Sequence, residues 1–242
     1  FWTDVRVVAR SIKPDAWMFG ELVRTPETQL SYAGLFDGTL DFLLCQAMRN
    51  TFATGEMSLA AFDAFLSRHE AYFPAQNVFS RPSFLDNHDM DRFLWRAGND
   101  KRRLKLAALA QFTLGGAPIV YNGTEVGVSQ TCNIHDPDSQ GMEECRQPMP
   151  WGDAQDGELH AYFWYLSHLR RNHSALWRGG RQTLLLDSAA QTYAYAREDG
   201  ADALIVALNM SEEPRTVVVP HVERGAQVTF ELPPWTGDVA AV

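Results

Sequence analysis

The chain has 242 residues, of which 45% are hydrophobic and 21% charged, a composition typical of folded globular proteins. Its formal net charge of -9 at pH 7 argues against a nucleic-acid partner, because phosphate binding requires clustered Lys and Arg. No apolar run approaches the ~18 residues that span a bilayer, so we expect no membrane partner.

The first residues follow a helical pattern. Phe1, Val5, Val8 and Ile12 recur at helical spacing and predict one apolar face, which ends at Pro14. Because this helix begins at the first residue without a cap, we expect the chain to start inside a longer protein.

Short apolar runs alternate with helical patterns along the next part of the chain. Residues 16–19, 77–85 and 117–121 each predict a buried strand, and residues 34–42 give a weaker strand signal. The helices predicted between and after them are residues 43–48, a helix capped by Ser58, a helix of residues 104–114 capped by Asp100, and residues 159–172. This alternation is typical of a parallel α/β barrel.

Polar groups follow three of the predicted strands, the last of which, residues 117–121, runs into Gly123 and Glu125. Glu21 follows the first, and the cluster Asp86, Asn87, His88 and Asp89 follows the run that ends at residue 85. Parallel α/β barrels place their chemistry at the carboxyl ends of the strands, so we expect Glu21 and Asp89 to meet at the ends of neighbouring strands. The alternatives are a surface Glu that opens a loop and an Asn/Asp turn before the next helix.

A long segment and three cysteines follow no simple pattern. Residues 122–157 are too many for a simple connection, and two prolines within residues 146–151 favour an ordered wall. Cys45 lies in an apolar helix and is interpreted as a core thiol. Cys132 and Cys145 flank the long loop, and their pairing in an oxidising compartment stays open. No cysteine or histidine spacing indicates a metal site.

After residue 180 the pattern changes to short β-rich runs separated by turns. The predicted strands are residues 183–186, 192–197, 203–209, 215–219 and 227–232. We therefore predict two domains, a barrel part over residues 1–178 and an antiparallel β-domain over residues 179–242.

Five motifs occur in the order known from one enzyme family. They are Phe19-Gly20-Glu21, FLDNHDMDRF from Phe84, GAPIVYNGTEVG from Gly116, RQPMPW from Arg146, and YAYAREDG with ALIVALN in the β-rich part. The sequence resembles the second half of an α-amylase family enzyme (glycoside hydrolase family 13). The resemblance implies strands five to eight of a TIM (β/α)8 barrel, followed by an all-β antiparallel sandwich.

The resemblance also implies roles for individual residues. Glu21 corresponds to the catalytic acid/base, and Asp89 to a third carboxylate that binds the distorted sugar. His88 is expected to donate a hydrogen bond to the same sugar. Three further residues are expected to bind substrate: Asn87, Arg92 and Tyr121.

The chain departs from the family pattern in several places. The family's nucleophile, an Asp in a Gly-x-Arg-x-Asp motif, would precede Phe1, and Asp4 lacks that context. The family's first-half Asp-x-x-x-Asn-His motif and calcium-binding insert are also absent, so no cofactor is assigned, although calcium occurs in full-length members. Met90-Asp91 and Asn122 replace residues common in the family and leave substrate preference open.

These implications lead to one expected function and two alternatives. We expect retaining hydrolysis of α-glucosidic bonds, mainly α-1,4, in starch or maltooligosaccharides. An α-glucan transglycosylase or trehalose synthase shares the same carboxylates, and a non-catalytic carbohydrate-binding protein is the third possibility. A half barrel exposes two sheet edges, so we expect a dimer or a complement with a first half, and no activity from this chain alone. The compartment stays open.

Overall fold

The computed structural model describes residues 1–221 and 225–242. Its α-helices are α1 Trp2–Ile12, α2 Pro26–Leu30, α3 Phe42–Met48, α4 Leu59–Tyr72, α5 Phe93–Arg96, α6 Lys101–Thr113, α7 Gly157–Asn172 and α8 Ser174–Trp177. Its strands are β1 Phe19–Gly20, β2 Gly38–Thr39, β3 Gly180–Asp187, β4 Thr192–Asp199, β5 Asp202–Asn209, β6 Arg215–His221, β7 Ala226–Leu232 and β8 Thr236–Ala241. A π-helix, Arg49–Thr54, continues α3. Within these ranges no helix is both long and apolar enough to cross a bilayer.

Four extended segments in the first part of the chain lie side by side and run parallel. β1 pairs with β2, and parallel bridges then join Gly38 to Ser80 and Ser83 to Pro118. The spatial order of the four segments is therefore their order along the chain. Because they are parallel, the residues that follow each segment emerge at one edge of the sheet.

The first predicted strand is shorter and more exposed than the sequence indicated. Pairing is limited to Phe19–Gly20, and the side chains of Trp17 and Phe19 are 49% and 40% exposed. The expectation of a buried strand is wrong here because, among the described residues, β1 pairs only on its β2 side.

The predicted strand over residues 77–85 also begins later than expected. Residues 76–78 form a turn, in which the amides of Val78 and Phe79 donate to the carbonyl of Ala75. This turn reverses the chain after α4, so extended pairing starts only at Ser80.

The predicted N-terminal helix is present, but its apolar face is largely exposed, and it makes an aromatic contact beyond the helix through Trp2 with Phe36, at 5.2 Å between ring centroids. α1 contains no buried residue, and Val8 and Ile12 are mostly exposed. Ion pairs attach it instead: Arg6 and Arg10 donate to Asp37 Oδ1 over 2.8 and 2.7 Å.

The predicted helix caps are confirmed. The Ser58 side chain accepts a hydrogen bond from the Ala61 amide, and Asp100 accepts one from Arg102. Such caps satisfy backbone donors that have no partner within the helix.

α6 forms the centre of the main core. Its residues from Leu106 to Thr113 are all buried, and they pack in one continuous apolar cluster with α4, α7 and the β-rich part, including Tyr195 and Trp235. The Tyr195 hydroxyl lies 2.6 Å from Thr113 Oγ1, which joins the two parts by a buried hydrogen bond.

The predicted antiparallel β-structure is confirmed and contains one more strand than expected. β3, β4, β5 and β8 form one sheet in the order β3-β4-β5-β8, and β6 pairs with β7. The two sheets share a small apolar core that includes Ile205, Val219 and Phe230. β8 was not predicted because its sequence, TGDVAA, has little β-branched or aromatic content.

Candidate active site

A buried aspartate shapes the loop that follows the segment at Ser83. Asp86 Oδ2 accepts a hydrogen bond from the Phe93 amide and Oδ1 accepts one from Thr124 Oγ1, both over 2.8 Å. Burial raises the pKa of Asp86, and the hydrogen bond from Phe93 together with the charge of Arg92 opposes that rise. Asp86 therefore holds residues 86–93 in a closed loop and links this loop to Thr124, which follows the next extended segment.

Within this loop an Asx turn presents two polar side chains to solvent. Asn87 Oδ1 accepts a hydrogen bond from the Asp89 amide over 2.9 Å. His88 and Asp89 are both exposed, with His88 Nε2 3.4 Å from Asp89 Oδ2. The role of Asn87 as a substrate ligand stays a prediction. In the structure its side chain accepts a hydrogen bond from the backbone and stabilises the turn.

Arg146 holds this turn from the long loop. Its Nη2 donates to Asp89 Oδ1 and its Nε donates to the His88 carbonyl, each over 2.9 Å. Arg146 belongs to the predicted wall of residues 146–151, for which no individual side-chain role is predicted from the sequence. The signal was present, because an arginine in a proline-stiffened segment is suited to fixing a carboxylate.

Tyr121 lies beside the same turn. It is half-buried, its ring centroid is 6.5 Å from that of His88, and its hydroxyl donates to the Cys145 carbonyl over 3.5 Å. Burial is the main cause that raises the pKa of Tyr121. Its predicted substrate contact is compatible with this position.

The expected substrate-binding role of Arg92 is wrong. Its side chain is fully buried, with Nε donating to the Cys145 carbonyl and Nη1 to the Asn122 carbonyl, each over 2.7 Å. The guanidinium also lies 3.9 Å from the centroid of the Tyr121 ring. Arg92 cannot contact a ligand at the rim because loop residues surround it; it fixes the loops that carry Tyr121 and Arg146.

The long loop is held by a second buried acid. Asp91 Oδ1 accepts hydrogen bonds from Gln130 Nε2 and the Ile134 amide, and Oδ2 accepts one from Asn133 Nδ2. Because Asp91 lies next to Arg92, the loop and the polar turn are positioned together. These contacts fix residues 130–134 of the loop; the ordered wall expected at residues 146–151 stays a prediction.

Glu21 lies at the same edge of the sheet as Asp89. It directly follows β1 and is exposed, whereas Asp89 follows the segment at Ser83, which runs parallel to β1. The expectation that the two acids end neighbouring strands is wrong, because β2 lies between their strands. In a closed barrel, side chains after alternate strands still face one central pocket.

The remaining candidate ligands and thiols were also located in the structure. In residues 1–221 and 225–242 no group of three or more His, Cys, Asp or Glu side chains is arranged to hold a metal ion. Cys132 and Cys145 are free thiols, and Cys145 Sγ donates to the His88 carbonyl over 3.3 Å. The Cys132–Cys145 disulfide, which the sequence left open, is therefore not formed in this structure.

Residues 1–172 match the family model described as alpha amylase, catalytic domain. The chain belongs to the α-amylase family. Alpha-amylase 2 of Dictyoglomus thermophilum is 36% identical over 214 residues, which cover 88% of this chain and 37% of that protein. Neopullulanase 2 of Thermoactinomyces vulgaris is 32% identical over 96% of this chain and 38% of its own length.

Solved structures agree with the family assignment. A cyclomaltodextrinase aligns over 91% of this chain with 32% identity and a TM-score of 0.79, using 36% of its own length. The cyclic alpha-maltosyl-(1→6)-maltose hydrolase from Arthrobacter globiformis aligns over 99% of the chain with 26% identity and a TM-score of 0.83, using 52% of its own length. The chain therefore spans about a third to a half of the length of these relatives.

Proposed function

We propose that this chain forms strands five to eight and the following β-domain of an enzyme that hydrolyses α-1,4-glucosidic bonds with retention. The observation that supports this most is the common sheet edge of Glu21 and Asp89, within a segment that matches the α-amylase catalytic domain. The names of the relatives, an alpha-amylase and a neopullulanase among them, favour an α-glucan substrate.

In this proposal Glu21 protonates the leaving glycosidic oxygen and then acts as the base for the incoming water. Retaining hydrolysis requires a second carboxylate about 5–5.5 Å from the acid, which attacks the anomeric carbon. We assign no residue of this chain to that role. The nucleophile would come from a first barrel half, as the family pattern implies.

Asp89 and His88 would bind hydroxyl groups of the same sugar. A contact of this kind accelerates the reaction only if it strengthens as the ring flattens towards the transition state. Arg146 supports such a role because its two hydrogen bonds fix both the Asp89 carboxylate and the turn that carries it. A preorganised carboxylate loses little energy to reorganisation when the positive charge develops on the sugar.

The partner of this half barrel is proposed to be a first barrel half, in the same polypeptide or in another one. Large apolar side chains are exposed in the segments before and after β1 along the chain, among them Ile12, Trp17 and Val23. Monomeric proteins rarely leave a patch of this kind uncovered. A dimer of this chain is the alternative that the same surface permits.

A fusion experiment tests the proposal. The first barrel half of the Dictyoglomus thermophilum relative is joined to this chain, and both the fusion and the chain alone are assayed with maltotriose. We expect turnover only by the fusion, and a loss of about 10²–10⁴-fold in kcat for Glu21→Gln. The control variant Glu56→Gln, at an exposed acid in the connection before α4, should keep full activity.

Two measurements keep the result interpretable. Cooperative thermal unfolding shows that each fusion is folded, and maltotriose binding by the Glu21→Gln variant should survive. Hydrolysis by the chain alone, or full activity of Glu21→Gln, would contradict the proposal. Products longer than the substrate would instead assign transglycosylation.

A further inference from the structure

A second cleft lies at the opposite edge of the parallel segments. It has a volume of about 950 Å³ and is bounded by Ser80, Arg81 and Ala117, at the amino-terminal ends of two segments, and by Gly180 at the start of β3. Small-molecule sites commonly have volumes of about 300–1,000 Å³. Because Asp89 and Tyr121 follow the carboxyl ends of the same segments, this cleft is separate from the proposed active site.

The charges that line this cleft oppose the negative charge of the whole chain. Among the residues that the structure describes, five arginines contribute to its wall, against one acid, Glu70. The arginines are Arg81, Arg170, Arg178, Arg181 and Arg197. Arg181 is balanced by Asp63 and Glu70 at 2.9 and 3.0 Å, and Arg81 Nε lies 3.7 Å from Asp41. The other three have no carboxylate within ion-pair distance among the described residues.

Two of these three arginines, Arg170 and Arg197, are buried and held by backbone carbonyls. Arg170 Nη1 donates to the carbonyls of Phe112 and Leu114 over 2.7 and 3.0 Å, and Arg197 Nη2 donates to that of Gly179 over 2.6 Å. Burial and the proximity of Arg197 lower the pKa of Arg170 to about 10. A buried positive charge without a counter-charge is costly, and an anion in the cleft would offset that cost.

Two further arginines line this cleft. The Arg81 side chain is buried, with a relative exposure of 5%, and its Nε lies 3.7 Å from Asp41 without a hydrogen-bond partner among the described residues. Arg178 is exposed and stacks on the Trp177 ring, with its Cζ 4.2 Å from the ring centroid. The cleft thus combines fixed buried charges with one accessible guanidinium and one aromatic face.

We propose that this cleft binds a small organic molecule through a phosphate group. Guanidinium groups match phosphate oxygens in both charge and planar geometry. The volume exceeds that of a bare phosphate ion, and the Trp177 ring, which is 44% exposed, offers an apolar surface for the rest of the molecule. The site does not use the residues assigned to glycoside hydrolysis.

Calorimetric titration of the whole protein that carries this chain tests the proposal. The probes are inorganic phosphate and a hexose 6-phosphate at constant ionic strength, without any glucan, so the outcome does not depend on enzyme activity. We expect both to bind and the hexose phosphate to bind more tightly. Arg178→Ala should weaken binding about tenfold, the effect of one charge-assisted hydrogen bond.

Two matched variants decide whether the cleft is the site. Arg171→Ala removes an exposed arginine of α7 that does not line the cleft, and phosphate affinity should not change. Glu70→Gln removes the one acid of the cleft wall, and phosphate should bind more tightly. Absence of phosphate binding at millimolar concentration, or equal affinity of the wild type and Arg178→Ala, would overturn the proposal. If the hexose 6-phosphate binds more weakly than inorganic phosphate, the proposal that the ligand is an organic molecule would be overturned.

Discussion

Arg146 and Asp89 are joined across two loops by a hydrogen-bonded ion pair of 2.9 Å. The same guanidinium also holds the carbonyl of His88, so one side chain fixes both the carboxylate and its backbone. Both residues are partly exposed, and the contribution of such a pair to folding is therefore small. The main effect of this ion pair should instead be on catalysis at the sheet edge where Glu21 and Asp89 lie.

We predict that Arg146→Ala lowers kcat of the completed enzyme by about 10–100-fold, because displacement of a functional group by about 1 Å has effects of that size. The free energy of unfolding should change by less than about 0.5 kcal/mol, as for other surface substitutions. Steady-state kinetics with maltotriose and urea unfolding measure the two quantities. Arg24→Ala, at another exposed arginine, is the control. A large loss of stability with unchanged kcat would disprove a positioning role.

Substitution of Arg92, unlike that of Arg146, should mainly lower the free energy of unfolding. Arg92→Met removes the hydrogen bonds to the carbonyls of Asn122 and Cys145 and removes one of two positive charges near the buried Asp86, the other being Arg49. We expect a loss of about 3–5 kcal/mol in the free energy of unfolding. Urea denaturation followed by tryptophan fluorescence measures it. A change below about 1 kcal/mol would mean that the loops do not depend on this side chain.

The lowered pKa of Asp63 predicts that the stability of the protein depends on pH. Burial opposes its ionisation, but hydrogen bonds from Thr183, Tyr193 and Arg181 hold its pKa below the ordinary value. A carboxylate with a lowered folded pKa stabilises the protein above its unfolded pKa, about 3.9, and loses that effect as the pH falls through the folded pKa. The unfolding free energy of Asp63→Asn should therefore decrease less than that of the wild type between pH 5 and 3. Parallel curves for the two proteins would contradict this link.

The three thiols should differ in reactivity. Burial raises the pKa of Cys45 to about 12, and Cys145 is buried as well, whereas Cys132 is half-buried. Thiolates are the reactive species, so an aromatic disulfide reagent should modify Cys132 first and the other two only on unfolding. Cys132→Ser should remove the fast phase. Detection of a single free thiol in the unfolded, unreduced protein would instead indicate a Cys132–Cys145 bridge.

The β-domain should not fold independently of the helices before it. Trp235 is buried in the core that includes α6, and the Arg103 guanidinium lies 3.9 Å from the centroid of its ring. We expect a fragment of residues 179–242 to lack amide dispersion in NMR spectra. In the longer chain Trp235→Ala should cost about 3–5 kcal/mol, while Trp151→Ala, at a mostly exposed tryptophan, should cost little. A well-dispersed spectrum of the fragment would contradict this dependence.

The sequence by itself determined the features that depend on neighbouring residues and on motif order. Helix caps at Ser58 and Asp100 were predictable because a cap needs only a side-chain oxygen and the next turn of backbone. The family was identifiable because several motifs follow one another in a fixed order along most of the chain.

The tertiary structure decided which polar side chains face solvent and which are buried. Arg92 and Arg146 are the same residue type in two of the family motifs, yet one is enclosed by carbonyls and the other reaches the exposed Asp89. Burial of a side chain depends on which distant loops fold over it, and no local pattern encodes that. For the same reason the exposure of β1 and the clustering of arginines at the opposite edge appeared only when distant segments were brought together.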